Sequence, residues 1–392
     1  MTAIDEKLLN ACKTGDAKTV KALLHAGADP NARNLHGTTA LMLAASNDRT
    51  GSESVEALLK KGADPNAKNG DNTTALMLAK NTASVKALLD KGADACAKDD
   101  NAWTPLENAL DNEDAESVKL LLQAGADANG KNTDGSTPLI FAVVKNDVAS
   151  IRALLTAGAS VNGKGRNGVT PLMVAETTET AETLLEAGAD TEAEDGGGAT
   201  PLIHAARKGA THILEILLAA GANPDARDKS GKTPLMFADA ESIELLLDKR
   251  ANPNARDNAG NTPLLHATTG EAVVALLEAG ADASIRNNDG KDMFDFEFDN
   301  NTSWKVLDCK IPMLFSELEN RVLVFGGVDE KAYHAAVQSP LYRALSPFIG
   351  KKRPFSRKLL KSKKALEDWL FKVDVVLKAL QDPSPRDGNF LF

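Results

Sequence analysis

Apolar positions along the chain recur with two superimposed periods. Within residues 137–158, Leu139, Ile140 and Ala142 fall at helical spacing, and so do Ile151, Leu154 and Leu155 after a polar turn at Lys145, Asn146 and Asp147. Thr137 supplies a helix N-cap oxygen, and Pro138 falls at the first helical position, where its missing N–H costs nothing. Gly158 suits the left-handed conformation that ends a helix. Residues 159–168 are small, polar and rich in Gly and Asn, which predicts an extended, hairpin-like turn before the next Thr170-Pro171-Leu172. The predicted unit is helix, turn, helix, projecting finger.

The longer period is set by Gly125-Ala126-Asp127-Ala128-Asn129. Copies begin at Gly27, Gly62, Gly92, Gly158, Gly188, Gly221 and Gly280, with an altered one at Arg250, so successive units span 29 to 35 residues. A period of that length marks a stack in which each unit buries its apolar face against its neighbours.

At this level of detail the units resemble ankyrin repeats. The family pattern D-x-x-G-x-T-P-L-x-x-A-A, followed by a second helix and G-A-D-x-N, is matched by Asp228-Lys229-Ser230-Gly231-Lys232-Thr233-Pro234-Leu235 and by Thr200-Pro201-Leu202-Ile203-His204-Ala205-Ala206. The resemblance covers about residues 1–310: about nine units, the first a cap, and a degenerate last one running through Met293, Phe294 and Trp304. It implies an all-α, elongated and curved ankyrin-repeat solenoid with short hairpin fingers. It also implies a non-enzymatic scaffold or adaptor that grips a protein partner along the concave surface of finger tips and first helices.

Side chains on the fingers that the fold does not demand are the partner-binding candidates: Leu35, His36, Trp103, Arg166, Lys229 and Lys232. Trp103 stands where a small or polar residue is expected before Thr104, and exposed Trp is enriched among binding hot spots; packing against a neighbouring finger is the competing role. The resemblance assigns His204 and His266 to the histidine of T-P-L-H-x-A, with a hydrogen bond to loop backbone and no metal.

The irregularities carry their own expectations. The second unit is lengthened by a loop at residues 46–52. Units 74–92, 170–188, 233–250 and 262–280 lack about three residues where the first helix turns into the second, roughly one helical turn, which predicts unequal stacking and irregular curvature, strongest from Thr170 onward. Arg250 replaces a glycine of left-handed conformation, at a cost of about 1 kcal/mol. The glycines 196–198 read first as a loose finger, with close approach of another backbone as the alternative.

Composition separates the C-terminal part. From residue 293 onward lie 14 of the 17 aromatic residues, so packing there follows other rules, and residues 311–392 are expected to form a small, mainly helical module. Its clearest element is an amphipathic helix over 356–380, after breaks at Pro340, Pro347 and Pro354. Residues 293–392 carry a net charge of +3 against −13 for residues 1–292. Lys351, Lys352, Arg353, Arg357, Lys358, Lys361, Lys363 and Lys364 form a basic run without an acid, fit for an anionic membrane, nucleic acid or the acidic solenoid itself. An alternative function follows, an effector-type protein acting through this module. Residues 311–322 bear a faint similarity to the F-box-like segment that follows ankyrin arrays in some viral and intracellular bacterial proteins, which would link the chain to a ubiquitin ligase, although the leucine spacing departs from that pattern.

Motifs for chemistry are missing. Gly231-Lys232-Thr233 resembles the end of a phosphate-binding loop, but Ala226 stands where that loop needs glycine. No catalytic residue, metal site or cofactor is expected. Cys12, Cys96 and Cys309 are odd in number and far apart, as free thiols in a reducing compartment would be. No stretch approaches the ~18 apolar residues of a membrane span, and the N-terminus lacks a leader pattern. The expectation is a soluble, cytoplasmic monomer, with export into a host cell cytosol as the alternative.

Overall fold

A computed structural model describes residues 2–47, 51–283 and 285–291. All regular elements among them are helical, and the sole strand-like pairing is an isolated bridge between Arg33 and Thr39. The expected module at 311–392, its basic run and F-box-like segment, and the degenerate repeat beyond 291 lie outside the described residues. The chain divides into two compact units, one of residues 1–266 with 284–292 and the other of 267–283 with 293–392.

Each repeat is a pair of short helices held by apolar residues at fixed places. The leucine of the Thr-x-Leu start is buried throughout, at Leu41, Leu76, Leu106, Leu139, Leu172, Leu202, Leu235 and Leu264. From the second helix, pairs three residues apart join it, such as Val118 with Leu121 and Ile151 with Leu154. Burying each such side chain is worth about 1.5–3 kcal/mol, and the burial exists only because a neighbour covers it. Successive first helices Pro105–Asp111 and Pro138–Val144 pack side by side, and so do second helices Ala115–Gln123 and Val148–Thr156.

The short units are built differently at the deleted turn. Full-length units pass from first to second helix through a left-handed residue: Gly15, Glu113, Asn146 or Gly209. In the short ones the first helix shrinks to one turn, Leu76–Leu78, Pro171–Val174, Pro234–Met236 or Pro263–His266. Ala79 and Ala175 then leave in extended conformation, with ψ 127° and 131°. The loss of a turn read from the sequence is therefore met by truncating the first helix.

Truncation has a cost at the cap. In full-length units the Thr hydroxyl oxygen accepts the N–H three residues on, as Thr39 does from Met42 at 3.1 Å and Thr137 from Ile140 at 3.3 Å. In short units Thr74, Thr170 and Thr233 bury the same oxygen with no hydrogen-bond partner. There the N–H of Met173 or Met236 turns back to the Thr carbonyl instead. The N-cap read from Thr137 therefore holds in the full-length units and fails at Thr74, Thr170 and Thr233.

Fingers owe their form to Asp and Asn side chains. The first finger residue accepts from the backbone N–H groups two and four places on: Asn34 from His36 and Thr38, Asp99 from Asn101 and Trp103, Asp228 from Ser230 and Lys232. One backbone bond, such as Asp99 N–H to Trp103 C=O at 3.1 Å, closes the hairpin. Neighbouring fingers are joined twice. At the base, the Asn of Gly-Ala-Asp-x-Asn spans the joint: Asn66 donates to Gly92 C=O at 2.9 Å and accepts from Asp94 N–H at 2.8 Å, and Asn129 does the same with Gly158 and Ser160. At the tip, one backbone bond links fingers, as from Gly70 N–H to His36 C=O.

The Gly196–Gly198 finger is not loose, contrary to expectation. A Cβ on Gly196 would lie 2.8 Å from Asn167 O and one on Gly198 2.9 Å from Lys229 N, so the glycines permit backbone contact with the fingers on both sides. Arg250 does occupy the left-handed region, at φ 66°, where the corresponding glycines take 80° to 94°.

Candidate partner-binding face

The face made by fingers and first helices carries one variable side chain per unit at the fifth residue of the Thr-Pro-Leu segment. In order these are Leu43, Leu78, Asn108, Phe141, Val174, His204, Phe237 and His266, all half-buried. All but Val174, which follows Gly165, stand nine residues after the Asn or Asp that organises the finger of their unit.

Where the position is a histidine it is sealed by the finger aspartate, whereas Asn108 turns to Ala79 C=O of the preceding unit at 2.7 Å. His204 Nε2 lies 2.9 Å from Asp195 Oδ2, and His266 Nε2 lies 2.8 Å from Asp257 Oδ2. This corrects the sequence assignment, since the place of the motif histidine is taken by Ile203 and Leu265 and the two histidines stand one residue later, on a carboxylate instead of loop backbone. Burial works to raise both aspartates, but the backbone donors Ala199 and Gly197 with His204 at one, and His266 with Asn261 at the other, outweigh it and hold them below the usual carboxylate value.

At Phe237 the aromatic ring cannot satisfy the finger acid, and a cation enters from the preceding unit. Arg207 Nη2 donates to Asp228 Oδ2 at 2.7 Å, and its guanidinium lies 4.5 Å from the centre of the Phe237 ring. Lys232 places its ammonium 5.5 Å from the same ring. Beneath, the ring rests on Ala199, Ile203 and Ala226. Cation–π contacts of this kind are worth about 0.5–2 kcal/mol, more as water is removed.

A second aromatic group surrounds Phe141. Trp103 meets it edge to face, with centroids 5.9 Å apart and planes at 81°. Lys145, held 2.9 Å from Asp111, sits 5.7 Å from the same ring. Trp103 is thus half-buried against the next unit's first helix.

The remaining sequence candidates divide. Leu35 is 99% exposed at its fingertip, with His36 exposed beside it, and Arg166 projects freely. Lys229 is occupied: its ammonium donates to Gly196 C=O at 2.7 Å and its N–H to Gly197 C=O, so it braces the adjoining finger. Sequence reasoning missed Phe141, Lys145, Arg207 and Phe237. The available signal was the column at the fifth residue of each Thr-Pro-Leu segment, which changes without pattern between aliphatic, Asn, His and Phe.

The model for ankyrin repeats in groups of three copies matches residues 8–99, 49–132, 106–195, 176–257 and 202–289, overlapping along nearly all the described chain. The chain belongs to the ankyrin-repeat family. Comparison with curated proteins returns no match. Ankyrin repeats generally mediate protein–protein interaction, and the finger and first-helix face described above carries a side chain that varies from unit to unit in this ankyrin-repeat chain. Among the described residues, no helix is long and apolar enough to cross a membrane, and no three His, Cys, Asp or Glu side chains converge as metal ligands would.

Proposed function

We propose that the chain is a non-enzymatic scaffold or adaptor that captures a protein partner on its finger and first-helix face, anchored at the Phe141 and Phe237 groups. The observation that carries this reading is Phe237 itself. Flanking units seal the same position with a His–Asp pair, whereas here a half-buried ring lies under two cations. A ring of that kind offers apolar area ordered in advance, and the cations offer a carboxylate or backbone carbonyl of the partner a charge-assisted bond. The preferred partner surface is therefore one with an exposed acid beside an apolar side chain.

The test is affinity capture with the full chain and with Phe237→His, which can recreate the His–Asp pair of the adjoining units on Asp228. Loss of about tenfold or more in capture, with helical content unchanged, is expected. Undiminished capture by Phe237→His combined with Phe141→Ala overturns the assignment to this face. Leu35→Ala and Arg166→Ala map how far the footprint extends.

A further inference from the structure

One joint in the stack keeps only half of the base bridge and lacks the tip bond that ties neighbouring fingers, and a cavity opens there. Between the fingers at residues 93–104 and 126–137, the bridging Asn is replaced by Cys96. Its thiol donates to Gly125 C=O at 3.1 Å but leaves the Asp127 N–H without the side-chain acceptor that Asp94, Ser160 and Asp190 have. The tip bond found between most adjacent fingers is also missing between these two. The cavity measures about 230 Å³ and is lined in part by Cys96, Lys98, Glu107, Asp127 and Lys131.

Glu107 is the unusual member. It occupies a position that holds Met42, Met77, Ile140, Met173, Ile203, Met236 and Leu265 in other units, so a carboxylate is buried where the stack otherwise buries an aliphatic chain. It is 4% exposed. One oxygen, Oε2, accepts from Thr104 N–H and Thr104 Oγ1; the other, Oε1, accepts no hydrogen bond among the described residues. Burial raises its pKa against those Thr104 bonds and the nearby Lys98 charge. A capping role explains Oε2, but a Thr39 cap works with Met42 at the same place, so capping does not require the acid. The Lys98 and Lys131 ammoniums make no ion pair among the described residues, and the Asp127 carboxylate is exposed and occupied in its own turn with Asn129.

We propose that this cavity is a binding site for a small zwitterion, with an ammonium donating to Glu107 Oε1 and an anionic group, carboxylate or phosphate, held by Lys98, Lys131 and the Asp127 N–H. A buried carboxylate with one free oxygen favours a cationic donor, and two unpaired ammoniums favour an anion. At about 230 Å³ the cavity is smaller than the usual ligand site of about 300–1,000 Å³, which selects for molecules no larger than an amino acid. The site makes no use of Phe141 or Phe237, so its test is independent of the partner-binding reading.

Isothermal titration of the full chain with serine, glutamine and phosphoethanolamine tests it, with ethylamine and acetate as molecules carrying only one half of the recognition. At least one zwitterion is expected to bind and neither half-ligand. Preference for serine and glutamine or for phosphoethanolamine tells carboxylate from phosphate. Glu107→Met, the residue four other units use, should keep the fold and weaken binding about ten- to hundredfold, the loss of one charge-assisted bond. Lys98→Ala with Lys131→Ala should weaken it as well. No heat from any zwitterion at millimolar concentration, or affinity unchanged in Glu107→Met, overturns the proposal.

Discussion

Ala210 is the place where a single atom group tests how these repeats hold their second helices. In the full-length units the residue before the second helix is Asp16, Asp114 or Asp147, with φ/ψ of −86°/82°, −95°/81° and −83°/85°. Each carboxylate accepts the N–H three residues on, at 3.0, 3.0 and 3.1 Å. Ala210 has the same backbone, −86°/71°, and no side-chain cap. Without one, the Ile213 N–H turns to the Ala210 carbonyl at 3.0 Å, which that carbonyl must also share with Leu214. Ala210→Asp should therefore stabilise the helix Thr211–Ala219 by about 1 kcal/mol, the usual value of an N-cap. Two corrections act in opposite directions. A negative charge at a helix N-terminus adds about 0.3–1 kcal/mol. The Asp239 carboxylate, which a Cβ on the adjacent Gly209 would meet at 3.4 Å, subtracts part of that by repulsion. Long repeat arrays can open locally, so the measurement specific to this helix is its amide hydrogen exchange, where about 1 kcal/mol slows exchange about fivefold. Ala210→Ser separates the cap from the charge, and Asp147→Ala should show the mirror loss in Val148–Thr156. If Ala210→Asp and Ala210→Ser both leave exchange unchanged while Asp147→Ala accelerates it, the capping account of this joint is wrong.

Two more outcomes follow from the same geometry. Thr170→Val should cost nothing or add stability, since its buried hydroxyl has no partner, whereas Thr137→Val should lose about 1 kcal/mol; equal losses in denaturation midpoint would contradict the distinction between short and full-length units. Arg250→Gly should raise the melting temperature, by a net of about 0.5–1 kcal/mol after the flexibility of glycine in the unfolded chain is counted, while Arg250→Ala keeps the strain and leaves it unchanged. A glycine variant no more stable than the alanine one would place the strain elsewhere.

The repeat, its helices and its deletions were legible because they rest on local chemistry: a periodic leucine, a capping Asp, a glycine at positive φ. The short units could be counted from missing residues, and their single-turn first helices are the direct result. What the sequence hid depends on pairs far apart in number. That Lys229 braces Gly196, that Arg207 crosses to Asp228, and that Trp103 turns onto Phe141 are facts about which unit lies beside which. The glycines at 196–198 misled for the same reason, as their use is visible only once the neighbouring fingers are in place. Glu107 was passed over because Thr-Pro-Leu-Glu reads as an ordinary cap; only the column of Met, Ile and Leu at the same position shows it to be out of place.

The Asn bridges at the finger bases also decide where such a chain can be cut and spliced. Asn129 holds both Gly158 and Ser160, so the polar half of that joint is carried by the preceding repeat and the other half by the following one. A fragment ended at Gly158 keeps one of the two bonds and leaves the amide of Asn129 half employed, whereas one ended at Asn162 keeps both. The exchangeable piece is accordingly measured from one fingertip to the next, not from one helix pair to the next, and grafts made on that frame bring their fasteners with them.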